Sequence, residues 1–514
     1  MPEDHFPEKD RRLLLVAAAA TAAVSLAVAS GLVPAGVPGQ WVIEHIRGAW
    51  FFPWQALAVL GLLLLLVGTA FRRIDTARWY EEGLAVAMLA ALLLAMQFAV
   101  GSLGRYGSQE SLIALTTATT NMYFDEAGTI DSLPEYLATY PKRAEESKNW
   151  QLKTHPPGPV VFFHAIRSAV RQCPRLKDAT LALADRLIPE PQRWRNIESF
   201  AFLRSRIDSD AEAAGWLGVA SLRLAAALSV VPLYVLARAV AGRKAALASA
   251  ALGGVVPSLL LFNATIDQLY PLLGLTALLA GWHAAKHRSM ALNVVTGLAL
   301  FAGMFFSLSF LMFIALILGL QAWKLMSTPG QKVPAEAIKT LVRMTESLLI
   351  GVMLGMVAVY LASGLKVWGV WARCYAANAD YNASHTYVAW LLANPLVFAV
   401  FLGVPSALLF GRRLHAEAAA ALRTRNPFGI DVLVAATACV LLLLWLWGAN
   451  LGEVERLWMP LMPLCVMAGV RRAEFSRNLL LGLVGLQGLQ AIVFRMSLDV
   501  LLKLGPPGPG GPPA

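Results

Sequence analysis

Charged residues are few in this chain, and cysteines are fewer still. Asp, Glu, Lys and Arg together make up 15% of its 514 residues, whereas 57% are hydrophobic, and the mean hydropathy is +0.59. A soluble protein of this length cannot bury so much apolar surface, but a lipid bilayer can cover it. The shortage of charge therefore excludes an ordinary soluble domain and predicts an integral membrane protein.

The four cysteines also limit the chemistry that we expect. No two of them have the spacing of metal ligands. Cys439 and Cys465 lie inside apolar runs, where a thiol packs like a small hydrophobic side chain. Cys173 and Cys374 both fall in segments that we place outside the membrane, so a disulfide between them is an open alternative.

Apolar runs recur along the chain, and most are long enough to cross a hydrocarbon core of about 30 Å. We therefore predict an all-α polytopic membrane protein with about 11 to 13 transmembrane helices. The predicted spans are 12–33, 52–71, 82–103, 217–239, 245–263, 269–285, 290–305, 307–324, 338–363, 387–410, 429–448, 457–471 and 478–496.

These spans divide the chain into five regions. Two N-terminal helices occupy residues 1–81, a first core helix 82–103, a long loop 104–216 and the transmembrane core 217–496. The Pro- and Gly-rich segment 497–514 is predicted to be a disordered tail. Because the chain begins with the acidic sequence MPEDHFPEKD, we expect its first helix to be retained rather than removed as a signal peptide.

Basic residues collect in alternate inter-helix turns, which is the charge asymmetry of cytoplasmic loops. The net charge of +11 therefore indicates sidedness, and we do not expect nucleic acid binding. The N-terminus is predicted to be cytoplasmic, and the loops 104–216, 364–386 and 450–456 extracytoplasmic, in a plasma or inner membrane. The basic turns carry Arg72, Arg73, Arg78, Arg238, Arg243, Lys244, Lys286, Arg288, Lys324, Lys332, Lys339, Arg412, Arg413, Arg423, Arg425, Arg471, Arg472 and Arg477.

The loop 104–216 has no predicted spanning helix, and loops of this length are usually functional. Within it, the segment PVVFFHAIRSAVRQ (159–172) is mostly apolar but has one polar stripe at helical spacing. This pattern predicts an amphipathic helix that lies in the membrane interface. Residues 174–215 have mixed charge and are predicted to form a small outside subdomain. The stripe consists of His164, Arg167, Ser168 and Arg171.

The long loop begins with an acidic segment, TTNMYFDEAGTIDSLPEYL. A carboxylate held at the membrane surface can take a proton from a hydroxyl nucleophile, so Asp125 and Glu126 are candidate catalytic residues. Asp131 is a further candidate for the base, and Tyr123 is a candidate substrate contact. Solvated loop acids or helix-capping residues give the same pattern. The pattern alone therefore does not distinguish a catalytic function from a structural one.

The segment THPPGP (154–159) follows in the same loop. Its first two prolines hold the backbone extended, and Pro159 suits the first turn of the amphipathic helix. A plain helix-start turn would explain the prolines. His155 is harder to explain in this way, because it would lie at the interface beside the acids.

A late segment, NLGEVERLWMPLMP (450–463), places Glu453 and Arg456 at the mouth of an apolar span. Ionisable groups at such positions are usually paired or functional. Arg456 is a candidate phosphate ligand because its planar guanidinium matches phosphate oxygens, and Glu453 is a candidate substrate contact. A Glu–Arg pair that merely anchors the helix end fits the pattern equally well.

Two other outside segments supply candidates for substrate binding. Asp267 lies in the short turn NATIDQLY, and Tyr375, Asn382 and His385 lie in the loop WARCYAANADYNASHTYVAW (371–390). Aromatic and amide side chains suit the faces and hydroxyls of sugars. The aromatic belts of membrane interfaces have the same composition, so this pattern has two interpretations.

In their order and sidedness, these motifs resemble the GT-C superfamily of integral membrane glycosyltransferases. The resemblance is to bacterial branches related to lipid A aminoarabinose transferases and protein mannosyltransferases, and it covers roughly 82–470. Asp-Glu-Ala at 125–127 is similar to the acidic motif of the large outside loop, and HPPG at 155–158 to its Pro-Pro motif. SLRLAAAL (221–228) is similar to the start of the next crossing, and GEVERLW (452–458) to a late-helix motif.

The resemblance implies that the donor is a polyprenyl-phosphate sugar, with its tail between helices and its phosphate at the outer interface. It implies an inverting transfer in which Asp125 deprotonates an acceptor hydroxyl, while Arg456, helped by His155, stabilises the leaving phosphate. The acceptor would be a glycan, lipid or protein, and membrane lipids would be further partners. Members of this superfamily mostly activate the donor without a metal, so the resemblance implies no divalent metal, and we expect no other cofactor. The acidic motif lies farther from the helix end than in the superfamily, so the base among Asp125, Glu126 and Asp131 stays open.

Two other functions fit part of the pattern. A transporter or lipid-linked glycan flippase would explain the helices and outside carboxylates, but it predicts acids or breaks near mid-bilayer and often repeated halves. Glu346 is the main charge within a predicted span, and no internal repeat is evident. A ligase or polymerase of lipid-linked glycans would share donor and sidedness, and the sequence does not distinguish it from a transferase of single sugars.

Overall fold

Helices make up most of the described chain. The computed structural model describes residues 7–46, 52–104, 107–116, 122–147, 149–187, 208–326, 335–424, 431–448, 450–471, 473 and 475–500. The predicted subdomain 174–215 falls only partly within these residues, since 188–207 lie outside them. Most of the predicted tail, 501–514, also lies outside the described residues.

The helices of the described residues follow the apolar runs and the short polar segments between them. Short 3₁₀ helices lie at Gly107–Gln109, Ile266–Leu269, Leu308–Phe310 and Met459–Leu461. The α-helices are α1 (Glu8–Ala29), α2 (Trp54–Arg73), α3 (Trp79–Gly101), α4 (Glu110–Thr116), α5 (Met122–Ala127), α6 (Leu133–Glu146), α7 (Trp150–Thr154), α8 (Gly158–Gln172), α9 (Pro174–Leu187), α10 (Ser209–Leu228), α11 (Val230–Ala241), α12 (Arg243–Gly254), α13 (Pro257–Leu261), α14 (Tyr270–His287), α15 (Met290–Phe306), α16 (Leu311–Met326), α17 (Ala335–Ser363), α18 (Val367–Ala383), α19 (Tyr387–Leu402), α20 (Val404–Thr424), α21 (Val432–Trp447), α22 (Val454–Leu457), α23 (Met462–Val470) and α24 (Arg477–Ser497).

Seven helical stretches of the described chain are long and apolar enough to cross a membrane, or eight if α18 and α19 form one broken span. The all-α, multi-pass architecture therefore agrees with the prediction, but the predicted number of 11 to 13 spans is not supported. Several predicted spans are short or interrupted. The stretch 245–263, for example, divides into α12 and α13, and α15 and α21 have only 17 and 16 residues.

The loop predicted at 364–386 is mainly the helix α18, so that prediction is wrong. The helix has no proline and a single glycine, Gly369, so little in its sequence opposes helix formation. The chain then bends by 103° and continues as α19. The span predicted at 387–410 is interrupted at Gly403, whose φ of +98° is a conformation that favours glycine.

A small antiparallel sheet joins the two ends of the described chain. Its strands are β1 (Ala35–Val37), β2 (Trp41–His45) and β3 (Leu498–Asp499), in that order. Glu44 pairs with Asp499 across β2 and β3. The boundary predicted for the tail, residue 497, is therefore too early, because the chain leaves α24 only after Ser497 and then enters a strand.

Helices α15 and α17 approach each other closely at two glycines. A Cβ atom on Gly351 would lie 2.1 Å from the carbonyl oxygen of Val294, and one on Gly297 would lie 2.1 Å from that of Leu348. In a bilayer, close van der Waals packing at small residues holds helices together, because lipid tails are as apolar as the helices. The two glycines are therefore a point at which the bundle tolerates no side chain.

We expect Gly351→Ala to lower stability by about 1–3 kcal/mol, because the new methyl group must push two backbones apart. Gly61→Ala is the matched control, since nothing lies within 4 Å of a Cβ atom at that position. Thermal unfolding of the detergent-purified protein measures both. Equal melting temperatures for the two variants would show that the α15–α17 contact does not limit stability.

Candidate functional site

Three ionisable side chains from two distant parts of the chain meet at one end of the helix bundle. Arg456 donates from Nη1 to Oδ2 of Asp267 at 3.1 Å, and from Nη2 to the carboxylate of Glu453. The Asp267 side chain is 2% exposed and that of Arg456 24% exposed. Burial raises the pKa of Asp267, whereas Arg456 favours the carboxylate and opposes that rise. We name Arg456, Asp267 and Glu453 the arginine clamp.

Amide side chains fix the turn that carries Asp267. Gln268 donates from Nε2 to Oε1 of Gln97 at 2.9 Å and accepts from the backbone N–H of Ala264 at 2.8 Å. Asn263 donates from Nδ2 to the carbonyl oxygen of Gln97 at 2.7 Å. The amides are buried, so these bonds hold the turn firmly against α3.

Arg223 extends the same buried network. It donates from Nε to Oδ1 of Asn263 and from Nη2 to the hydroxyl of Ser111, both at 2.6 Å, and its guanidinium stacks 4.3 Å from the ring centroid of Phe98. This arginine belongs to the motif SLRLAAAL, whose helix begins at Ser209 rather than at the predicted residue 217. Arg223 thus joins α10 to the turn that orients Asp267.

Tyr123 and His155 lie beside the arginine clamp. Their rings meet edge to face, with centroids 5.7 Å apart. Burial raises the pKa of Tyr123, and Asp267 raises it further, while Arg456 lowers it. Burial, followed by the charge of Arg456, lowers the pKa of His155 to about 4. The imidazole is therefore neutral at pH 7.

The tautomer of the neutral His155 ring follows from its neighbours. Its Nδ1 lies 3.2 Å from the carbonyl oxygen of Gln151 and 3.0 Å from Oγ1 of Thr154. Because a carbonyl oxygen can only accept, the proton is assigned to Nδ1. Nε2 is then an acceptor, so it suits a hydroxyl group better than a phosphate oxygen.

Three parts of the chain hold the segment that carries His155. Tyr140 donates from its hydroxyl to the carbonyl oxygen of His155 at 2.8 Å, and Asn378 donates from Nδ2 to that of Thr154 at 3.2 Å. A Cβ atom on Gly158 would lie 2.4 Å from the carbonyl oxygen of Phe305 at the end of α15. Glycine is therefore needed where the Pro-Pro segment meets a transmembrane helix. The helix that follows, α8 (Gly158–Gln172), agrees with the helix predicted at 159–172.

The acidic candidates of α5 and its following turn face different neighbours. Asp125 interacts electrostatically with Arg167 of α8, whose pKa is lowered mainly by burial and raised in part by Asp125. Burial raises the pKa of Tyr136, and the adjacent Glu126 raises it further. Asp131 is exposed. Asp125 and Glu126 thus lie on the helix that presents Tyr123 to the clamp.

The candidates of α18 and the following bend are farther from this chemistry. Tyr375 is 55% exposed on the helix surface. Asn382 accepts the backbone N–H of Leu451 at 3.1 Å, which positions the segment leading to Arg456. His385 packs against Tyr381, with ring centroids 4.8 Å apart and the ring planes tilted by 42°. Asn382 and His385 therefore contact the segment before Arg456 and the bend, whereas Tyr375 lies at the surface.

Two buried groups near the clamp have polar side-chain atoms without a hydrogen-bond partner among the described residues. These are the hydroxyl of Tyr270 and both carboxyl oxygens of Glu455. Burial raises the pKa of Glu455 to about 8, and Asp267 contributes to the rise, while its own backbone and Arg456 oppose it. Tyr270 was not predicted as a site residue. The one feature of the sequence that points to Tyr270 is its position directly after the turn that carries Asp267.

A cleft of about 330 Å³ opens between α6 and α18, next to the segment that carries His155. Tyr140, whose hydroxyl bonds to the His155 carbonyl, lies in its wall. Lys153 and Asp380 also line it, together with Arg373 and Glu145, which pair at 3.3 Å. The cleft therefore has charges of both signs and suits a polar, uncharged molecule.

The site lies at the helix ends opposite the basic ends. Helix α3 begins after Arg78 and ends near the clamp, whereas α14 begins beside Asp267 and ends with Lys286 and His287. Helix α23 begins shortly after Arg456 and ends before Arg471. Every one of these helices thus has its cations at the far end from the clamp.

Acidic residues and cysteines outside the candidate site have structural contacts or lie apart from one another. Asp208 and Asp210 form an Asp-x-Asp pattern, but Asp208 caps α10 through the N–H of Ala211, and Asp210 pairs with Lys177 at 2.6 Å. In the described ranges no three His, Cys, Asp or Glu side chains are grouped so as to hold a metal. Cys173 and Cys374 are free thiols, so the suggested disulfide is wrong.

Comparison with protein-family models and with curated protein sequences gives no match to this chain.

We expect Arg456→Ala to cost about 3–5 kcal/mol of stability, because Asp267 would be left as a buried, unpaired charge. Arg373→Ala is the control: its ion pair with Glu145 joins side chains 56% and 72% exposed, and such pairs contribute about 0–1 kcal/mol. Thermal unfolding measures both variants, and adding Asp267→Asn to Arg456→Ala should recover part of the loss. A similar melting temperature for Arg456→Ala and Arg373→Ala would contradict this assignment.

Proposed function

We propose that this chain is an integral membrane glycosyltransferase, which moves a sugar from a polyprenyl-phosphate donor to an acceptor hydroxyl and inverts the anomeric configuration. The arginine clamp, with Tyr123 and His155 beside it at the non-basic helix ends, is the observation that carries the proposal. By the positive-inside rule this end of the bundle is extracytoplasmic. A lipid-linked donor has its phosphate at the membrane interface, so its transfer needs a cation for the phosphate and acid–base groups for the hydroxyl at that interface.

Arg456 is proposed to bind the donor phosphate. Its guanidinium is held at Nη1 by the buried Asp267, whereas Nη2 contacts Glu453, a residue in the left-handed conformation with φ of +56°. A phosphate would displace Glu453 from Nη2 and leave Asp267 in place. Asp267 and Glu453 are then positioning residues for Arg456 rather than direct sugar contacts.

The transfer itself needs a base and a leaving group. Asp125 accepts the proton of the acceptor hydroxyl, and the oxygen attacks the anomeric carbon from the side opposite the phosphate. The bond between that carbon and the phosphate oxygen breaks, and its electron pair leaves with the polyprenyl phosphate. Arg456 stabilises the charge that develops on the phosphate. Nε2 of His155 accepts a hydrogen bond from a sugar or acceptor hydroxyl, so we assign it to orientation rather than to phosphate binding.

The cleft between α6 and α18 is proposed as the route of the acceptor. It is lined by charges of both signs, and Tyr140 connects its wall to the segment of His155. Hydroxyl-rich molecules suit such a surface, because they can both donate and accept hydrogen bonds. A glycan, or a lipid or protein that presents a hydroxyl, meets this requirement.

We expect Asp125→Asn to reduce kcat by about 10²–10⁴-fold with an unchanged donor KM, because only proton transfer is lost. Arg456→Lys should mainly raise the donor KM, because lysine keeps the charge but lacks the fork. The measurement is release of polyprenyl phosphate from a panel of polyprenyl-phosphate hexoses and pentoses in proteoliposomes. Asp75→Asn, in an exposed pair with Lys244 near the basic helix ends, is the control. A fully active Asp125→Asn variant would remove Asp125 from this step.

We expect Glu453→Gln to lower the donor KM several-fold, because the neutral amide competes less with the phosphate for Nη2 of Arg456. Asp267→Asn should instead raise the donor KM, because Arg456 loses its anchor. Donor titrations of both variants in the same proteoliposomes give the comparison. Parallel changes in the two variants would show that the carboxylates do not have separate functions.

A transporter or flippase for a lipid-linked glycan is the second candidate. The 103° bend between α18 and α19 favours it, because broken helices form the binding sites of many transporters. The same proteoliposomes distinguish the two functions. Movement of intact donor across the bilayer, without release of polyprenyl phosphate, would support the flippase.

A further inference from the structure

A second cleft, of about 230 Å³, opens at the basic end of the bundle. It lies between the first turns of α1 and α24, the end of α23 and the middle of α20. Helix α23 runs from the side of the arginine clamp at Met462 to this cleft at Val470, so the two sites lie on opposite faces. None of the proposed transfer chemistry uses this cleft.

The wall of this cleft is strongly cationic. Lys9, Arg412, Arg413 and Arg471 line it, and among the described residues Asp10 is the one acidic side chain in the lining. Asp10 is 4% exposed and accepts the backbone N–H of Ser476 at 3.3 Å, so its charge faces the protein. The open side of the cleft therefore has a positive potential.

Two of these arginines have carboxylate partners behind the cleft wall. Arg413 donates from Nη2 to Glu417, and Arg471 donates to Oδ1 of Asp431 at 2.6 Å. Nε of Arg413 is nevertheless buried and has no hydrogen-bond partner in the described chain. Arg412 is exposed and forms no ion pair with a described residue. Within the described part of the chain, the wall thus contains a buried donor without an acceptor, next to a cation without a paired carboxylate.

The floor of the cleft is apolar. Leu13, Leu409, Phe475 and Leu479 line it. Leu13 and Leu479 belong to helices long and apolar enough to cross a membrane, Leu409 to α20, which packs against them, and Phe475 to the segment just before α24. A cationic rim above an apolar floor, at the end of transmembrane helices, matches a molecule with an anionic head and an acyl chain. A soluble anion would gain nothing from the floor.

We propose that this cleft binds the headgroup of an anionic glycerophospholipid, with the phosphodiester at Arg412 and Arg413 and the first acyl carbons on Leu409 and Phe475. The size of the cleft supports a small headgroup, because pockets for drug-sized molecules such as nucleotides span roughly 300–1,000 Å³. Basic clefts between helices on the cytoplasmic side are the usual sites of anionic lipid headgroups. Net charge alone would give only diffuse attraction, whereas the Nε of Arg413 provides a fixed donor.

The test uses the full-length chain in a zwitterionic detergent, titrated with dioctanoyl-phosphatidylglycerol. The readouts are the number of bound lipids by native mass spectrometry and the shift in melting temperature. We expect saturable binding of one lipid, little binding of dioctanoyl-phosphatidylcholine and little competition by inorganic phosphate. Arg412→Gln should weaken binding about fivefold, the usual contribution of one interfacial cation.

Two variants on the same helix sharpen this test. Ala416→Phe should fill the cleft and abolish binding, because Ala416 lines it. Arg423→Gln should leave binding unchanged, because Arg423 is an exposed arginine of α20 outside the cleft. Equal binding of both lipids, an equal loss in Arg412→Gln and Arg423→Gln, or full competition by phosphate would each overturn the proposal. Full competition by phosphate would show instead that the cleft is a site for soluble anions.

Discussion

The burial of charge at a membrane surface is the constraint that organises this protein. A guanidinium that leaves water loses more free energy than one carboxylate returns, unless its geometry is good and its remaining donors are satisfied. Arg456 meets this condition with Asp267 on one nitrogen and Glu453 on the other. Asp267 in turn lies in a turn whose backbone is held by Gln268 and Gln97. The site therefore depends on contacts between α3, the 3₁₀ turn before α14 and the segment before α23.

The same constraint explains which features of the fold could be read from the sequence. Apolar runs must be covered, and basic turns must stay on one side, so both patterns are visible without long-range information. The amphipathic helix α8 was predicted within one residue of its start, because its polar stripe and its prolines are local signals. Helix α18 is not evident from the sequence, because its aromatic and small residues fit an interfacial loop as well as packed structure. The strand at Leu498 is not evident either, because two residues are too few to show an alternating pattern.

The candidate site was predictable only as separate parts. The sequence named Asp267, Glu453, Arg456, His155 and Tyr123 for different reasons, and no pattern within the chain pairs residue 267 with residue 456. That pairing arises from the way helices pack in three dimensions. Asp125 and Tyr123 illustrate the remaining difficulty. They lie two residues apart on one short helix, and Tyr123 interacts with Asp267 and Arg456 whereas Asp125 interacts with Arg167. Whether a residue of α5 faces the clamp is thus a matter of helical phase, which the motif does not encode.

The two faces of the bundle hold their cations in different ways, and this difference suits different ligands. At the clamp, the guanidinium lies between the carboxylates of Asp267 and Glu453, so the donor phosphate that we propose would have to compete with Glu453. That competition would make the site selective. At the opposite face, Arg412 is exposed, and Arg413 donates from Nη2 to Glu417 while its buried Nε has no acceptor among the described residues. The lipid headgroup that we propose there would therefore meet one cation that no described carboxylate pairs with. The two proposals thus assign a selective site and a more permissive site to the two ends of one short helix, α23.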